Sequence, residues 1–80
     1  MNKKEAKTRI QEIFIQTFPE LKGETFSFTK KQGDILGWDS FAHMQLASSI
    51  EQAFGIELDM QGIIEADSPA SFLALVEKKL

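Results

Sequence analysis

Apolar residues recur at three- and four-residue spacings in three separate stretches, and no pair of alternating segments is available to build a sheet, which confines the chain to helical architectures. The first stretch runs from about Lys3 to Phe18, where Ala6, Ile10, Ile13, Phe14 and Thr17/Phe18 form one stripe. Pro19 ends it, because proline disfavours the helical conformation for Phe18 and has no N–H to donate. The second begins at Asp39 or Ser40, either of which can accept a hydrogen bond from a free first-turn amide, and ends at Phe54 before Gly55. At about 100° per residue, His43, Leu46, Ala47, Ile50, Ala53 and Phe54 share its core face. Phe41 and Met44 project from the other side, beside Ser40, with Gln45, Ser48 and Gln52. The last stretch has the sharpest start, Ser68 as cap and Pro69 at the first helical position. Phe72, Val76 and Leu80, with Leu73 and Leu75 beside them, give its buried stripe, and Lys78 and Lys79 fall where the helix dipole favours positive charge.

Between these stretches, residues 55–58 read as an extended connection, and Asp59 starts a short helical turn through Ile63, Ile64 and Ala66 that Gly62 weakens. Residues 19–39 form a long link, but not a polar one. Leu21, Phe26, Phe28, Ile35, Leu36 and Trp38 punctuate it and are expected to pin it across the helices, since a structureless loop of about 20 residues is unusual in a compact domain. Phe26-Ser27-Phe28 alternates like a strand yet has no partner strand. The expected fold is all-α: a four-helix bundle with three main helices, one short helix and a long loop between the first two. With 80 residues there is space for one core, so residues 1–80 are read as a single domain.

A chain this short buries only about 60–65% of the surface its unfolded form exposes, which leaves little room for a deep active site. A binding or carrier module is therefore expected in place of an enzyme. There is no cysteine, hence no disulfide and no thiolate, and the lone His43 cannot furnish an ordinary zinc site. No signal-peptide pattern and no membrane span is found, so the expected compartment is the cytoplasm, with no membrane association. The net charge of −3 is unevenly spread: all Lys and Arg lie in residues 1–33 or at 78–79, whereas residues 34–77 carry acidic side chains alone. Such a surface repels nucleic acid and steers basic partner patches. Lys3, Lys4, Lys7 and Arg9 are read as the solvated face of the first helix, not as a nucleic-acid site.

The most informative segment is GWDSFAHMQLASSIEQAFGIEL, residues 37–58. Its order and spacing (Asp-Ser and an apolar residue, Leu six residues after the Ser, then Phe-Gly-Ile-Glu-Leu) resemble the acyl carrier protein family, also called phosphopantetheine-attachment or thiolation domains. The resemblance extends over nearly the whole chain. It implies that Ser40 is the attachment serine for a 4′-phosphopantetheine arm, placed there by a phosphopantetheinyl transferase from coenzyme A. It implies that Asp39 helps to hold the transferase's magnesium, with no metal resident in the carrier itself. The arm's thiol would carry acyl or aminoacyl groups as thioesters for fatty acid, polyketide or specialised metabolite biosynthesis, and the chain itself, expected to be a monomer, would catalyse nothing. Phe41, Met44 and Ser48 match the family's partner-facing positions, where acyl- or aminoacyl-loading and transfer enzymes would dock. In one respect the sequence departs from carriers with acidic second helices: after Asp39 that helix has only Glu51, and its other carboxylates are displaced to Glu57, Asp59, Glu65 and Asp67.

Other readings compete with this one. Ser40 could be a helix cap, a role that stabilises a helix by about 1 kcal/mol. Ser40, His43 and Asp39 suggest a small hydrolase, but an aspartate adjoining the serine cannot orient the base from its far side, and there is no Gly-x-Ser-x-Gly elbow. Trp38 is either a partner anchor or, more in keeping with its bulk, a plug from loop to core. A helical adaptor without a prosthetic group, using the Phe41/Met44 patch, shares the same fold.

Overall fold

Each of the four α-helices among the described residues opens on a polar side chain that accepts a first-turn amide. The computed structural model describes residues 2–80. Asn2 Oδ1 accepts from the Glu5 amide (2.8 Å) to start α1, Lys3–Thr17. Asp39 Oδ1 accepts from Ala42 (2.9 Å) to start α2, Ser40–Phe54. Asp59 Oδ2 accepts from Gly62 (3.1 Å) for the short α3, Met60–Glu65, and Ser68 Oγ accepts from Ser71 (3.2 Å) for α4, Pro69–Glu77. Each bond satisfies an amide that the helix leaves unpaired. At the far end of α2, Gly55 takes the left-handed conformation (φ 65°) that lets the chain turn off the helix. Among the described residues there is no strand, so the fold is the expected all-α bundle of three main helices and a minor one.

α1 packs against both α2 and α4. At the centre stands Phe14, fully buried, with ring centroids of Phe18, Phe26, Trp38 and Phe72 at 6.1, 6.3, 5.3 and 6.1 Å. Ile10, Leu46, Ile50 and Val76 are likewise fully buried in the interior. Of the face anticipated on α2, Leu46, Ala47 and Ile50 are buried, while His43, Ala53 and Phe54 are half-buried and Ala42 joins the core.

The long link between α1 and α2 is organised by two short 3₁₀ segments, Pro19–Gly23 and Gln32–Asp34. Leu21, Ile35 and Trp38 are buried and Phe26 and Phe28 half-buried, as expected of side chains that pin the link. Leu36 departs from that expectation and is 73% exposed. Two successive tight turns, Ile35 N–H to the Gln32 carbonyl and Trp38 N–H to the Ile35 carbonyl, put Ile35 and Trp38 on the inward side and turn Leu36 out. Leu80 also departs from the anticipated buried stripe. α4 stops at Glu77, and the chain then closes tighter turns from Lys79 to Val76 and from Leu80 to Glu77, which rotate Leu80 off the stripe. Lys78 and Lys79 consequently lie just past the helix.

The link is fastened to the start of α4 by two backbone bonds, Gln32 N–H to the Asp67 carbonyl (2.7 Å) and Ala70 N–H to the Phe28 carbonyl (2.9 Å). Asp67 adds its carboxylate, which accepts from Ser71 Oγ (3.1 Å) and from Lys31 Nζ (3.3 Å). The Ser71 hydroxyl first, and Lys31 after it, hold this carboxyl below its ordinary value of 3.8. Because the folded value is the lower one, the tether is at full strength above the unfolded value and is lost as pH falls through the folded one. Thermal unfolding of wild type and Asp67→Asn should therefore differ at about pH 6, and the difference should shrink as the pH is taken down through and below the ordinary carboxyl value. A gap that persists at the lower pH would contradict this role.

Candidate functional site

The start of α2 follows a sharp entry from the link. Gly37 adopts φ 88°, a conformation that side chains beyond glycine rarely take, and the Asp39 amide bonds back to the Gly37 carbonyl (3.0 Å). Trp38, next in line, is 6% exposed and rests on Phe14 and Phe18, with ring centroids at 5.3 and 5.7 Å. It is therefore the plug from loop to core. Its carbonyl accepts from the Gln32 side chain (3.2 Å), which ties the entry to the link.

With Trp38 anchored, Asp39 and Ser40 emerge at the surface, both exposed. Asp39 sits in extended backbone (φ −100°, ψ −172°) and is the cap of α2. The capping role considered for Ser40 thus belongs to its neighbour. Ser40 is the first residue of the helix, and among the described residues its hydroxyl has no hydrogen-bond partner. The backbone amides of Ser40 and Phe41 are also without an acceptor there, because Asp39 satisfies Ala42 by its side chain and His43 by its carbonyl (2.9 Å). An exposed nucleophilic oxygen, two free amides and the positive end of a 15-residue helix therefore converge, a combination suited to an anion.

Phe41 is 72% exposed and Met44 48%, and Ser48 is exposed one turn further along. Leu36, Met60 and Ile64 are likewise exposed, so large apolar side chains from the link, α2 and α3 lie open to solvent. Leu36, expected to pin the link, and Ile64, expected only as part of the short helical turn, were not anticipated at this surface; no periodicity marks a residue such as Leu36 between two inward-facing turn positions. A cleft of about 290 Å³, lined by Gln32, Ser40, His43, Met44 and Ile64, adjoins the hydroxyl. A second, of about 620 Å³, lies between α2 and α3, with Met44, Ser48, Glu51 and Met60 among its walls.

His43 does not serve as a base for Ser40. Its Nδ1 accepts from the Trp38 indole N–H (2.9 Å) and its Nε2 faces the Ile63 carbonyl (2.6 Å), which leaves no ring nitrogen for the serine. Glu51 is engaged too, accepting the Leu58 amide (2.8 Å) where the chain leaves α2. The helix thus offers partners almost no free carboxylate beyond its cap. Among the described residues no cluster of His, Asp and Glu could hold a metal ion, and no helix is long and apolar enough to cross a membrane.

Comparison with known proteins agrees with this geometry. Residues 33–76, from the second 3₁₀ segment to the end of the α4 core stripe, match the family model described as "Phosphopantetheine attachment site". No curated protein and no solved structure matches the chain. The matched span covers more than half of the chain and includes the capped helix, its exposed hydroxyl and α3, so the chain belongs to the phosphopantetheine-attachment family of carrier domains, whose members bear a covalent 4′-phosphopantetheine.

Proposed function

We propose that Ser40 is the attachment residue and that the chain, as one domain, tethers acyl or aminoacyl groups and presents them to loading and transfer enzymes. The observation that carries this reading is the free, exposed Ser40 hydroxyl at the start of a helix already capped by Asp39. The residues present fit the arm: an oxygen to bond it, two unpaired amides to receive its phosphate, and an open cleft alongside. A phosphodiester at an exposed helix start gains about 0.3–1 kcal/mol from the dipole. The arm, when bound, supplies the thiol that this cysteine-free chain lacks, and holds cargo on it as a thioester. Ser40 Oγ would form the new bond to the pantetheine-bearing phosphorus of coenzyme A as the pyrophosphate P–O bond breaks and adenosine 3′,5′-bisphosphate leaves, and the hydroxyl proton would pass to a base on the transferase, since both nitrogens of His43 are engaged. Tethering raises the effective concentration of the cargo at each partner enzyme.

Incubation with coenzyme A, magnesium and a broad-specificity phosphopantetheinyl transferase should add the mass of one arm to the chain. An unchanged mass would favour a helical adaptor that uses Phe41 and Met44 without any prosthetic group.

Asp39 has two roles in this reading, which two substitutions separate. Oδ1 is occupied by the cap, and Oδ2 has no hydrogen bond among the described residues, so it is available to the transferase's magnesium. Asp39→Asn keeps a good cap and should leave stability within a few tenths of a kcal/mol, yet loading should slow by about 10–100-fold. Asp39→Ala should slow loading equally and also destabilise the fold by about 1 kcal/mol. Loading at the wild-type rate in Asp39→Asn would remove the metal role.

Phe41, Met44 and Ser48 are the proposed partner-facing side chains. Phe41→Ala should change stability by less than about 0.5 kcal/mol, as expected of an exposed residue, while weakening transfer to or from a partner enzyme. Denaturant titration and a transfer assay on the loaded carrier check both parts.

A further inference from the structure

We propose that His43 is a positioning residue that fastens α3 to the start of α2 and so fixes the width of the cleft beside Ser40. An indole N–H can only donate, so the 2.9 Å contact from Trp38 Nε1 makes His43 Nδ1 the acceptor. The ring proton is then on Nε2, where it donates to the Ile63 carbonyl at 2.6 Å. One end of this chain of bonds is anchored in the core, because Trp38 is buried against Phe14 and Phe18. The other end is a helix of six residues, too short to be stable by its own hydrogen bonds. α3 is also held at Gly62, which lies so close to Leu75 that an added Cβ would stand 2.6 Å from Leu75 Cδ2. The His43 bond is the complementary fastening, on the side that faces the attachment helix. Ile64, the residue after the one clasped, forms a wall of the cleft together with Ser40. The part of this inference that concerns the cleft rests on the assignment of Ser40.

Two substitutions divide the clasp. In His43→Asn the amide oxygen takes the place of Nδ1 and keeps the Trp38 bond, but the side chain falls short of Ile63. In His43→Gln the terminal amide takes the place of Nε2 and reaches the Ile63 carbonyl, while the Trp38 bond is lost. Amide exchange at Ile63 and Ala66 should accelerate about tenfold in His43→Asn, the size expected for loss of one such bond, and stay near wild type in His43→Gln. Solvent exchange of the Trp38 indole N–H should behave in the opposite way, accelerating only in His43→Gln, where its hydrogen bond is lost. In the transferase assay His43→Asn should raise KM for the carrier several-fold with kcat little changed, and His43→Gln should restore it. Unchanged exchange at α3 in His43→Asn, equal acceleration in both variants, or an unaltered KM despite faster exchange would each overturn the proposal. The exchange and indole measurements need no arm, so failure of Ser40 to be modified would be distinguishable from failure of the clasp.

Discussion

Ser40→Ala should fold like the wild type and remain at its unmodified mass after exposure to coenzyme A, magnesium and the transferase. The lost oxygen makes no hydrogen bond among the described residues and is exposed, and the cap that starts α2 belongs to Asp39, so nothing in the fold depends on it. Alanine is also the better helix former, so stability should stay within about 0.5 kcal/mol. Chemistry, by contrast, should be lost completely, because no other group at the helix start is both nucleophilic and free: His43 is engaged at both nitrogens and the chain has no cysteine. Intact mass and circular dichroism on the same sample read the two halves of the prediction. Loading at the wild-type level would transfer the attachment role elsewhere.

Phe14→Ala should have the opposite profile, leaving the chemistry of the site intact in principle while removing the structure that presents it. Phe14 is fully buried at the meeting point of four aromatic rings contributed by the end of α1, the link and α4. Truncation of such a side chain costs about 3–5 kcal/mol through lost transfer energy and the cavity left behind. Total stability for a chain of this length is about 4–12 kcal/mol, so the variant should be unfolded or close to it at 37 °C. Loading should fall with the folded fraction, because Trp38 rests on Phe14 and directs Asp39 and Ser40 outward. Chemical denaturation of Phe14→Ala beside Phe41→Ala makes the comparison between a buried and an exposed Phe of the same chain. A loss below about 1 kcal/mol for Phe14 would show that the aromatic cluster is not the centre of the core.

The parts of this molecule that were readable from sequence are those governed by short-range rules. Helical spacing in α1, the Ser68-Pro69 start of α4 and the Gly55 stop of α2 each depend on a few neighbouring residues, and each lies where those rules put it. The placement of Phe41 and Met44 outside the core also followed from a helical projection alone. Long-range partners left no such trace. That Gln32 and Phe28 bond to the start of α4, or that the Trp38 indole and Ile63 share His43, depends on how the link crosses the bundle. Leu36 and Leu80 were misplaced for one reason: both sit in tight turns, where the register of three residues per turn replaces the helical one and a hydrophobic side chain can be directed outward. At the site itself, sequence placed the cap at Asp39 or Ser40 without deciding between them. Backbone geometry decides it, since Asp39 is extended and Ser40 is the first residue within the helix.

A substitution can abolish loading by disturbing recognition of the carrier, so the most direct test is to locate the arm itself. The loaded wild-type chain, cleaved and fragmented in the mass spectrometer, should show the phosphopantetheine on Ser40 and on no other residue, including the exposed Ser48 and Ser49 of the same helix. An arm found at Ser48, Ser49 or outside α2 would contradict the assignment of the capped helix start as the attachment point.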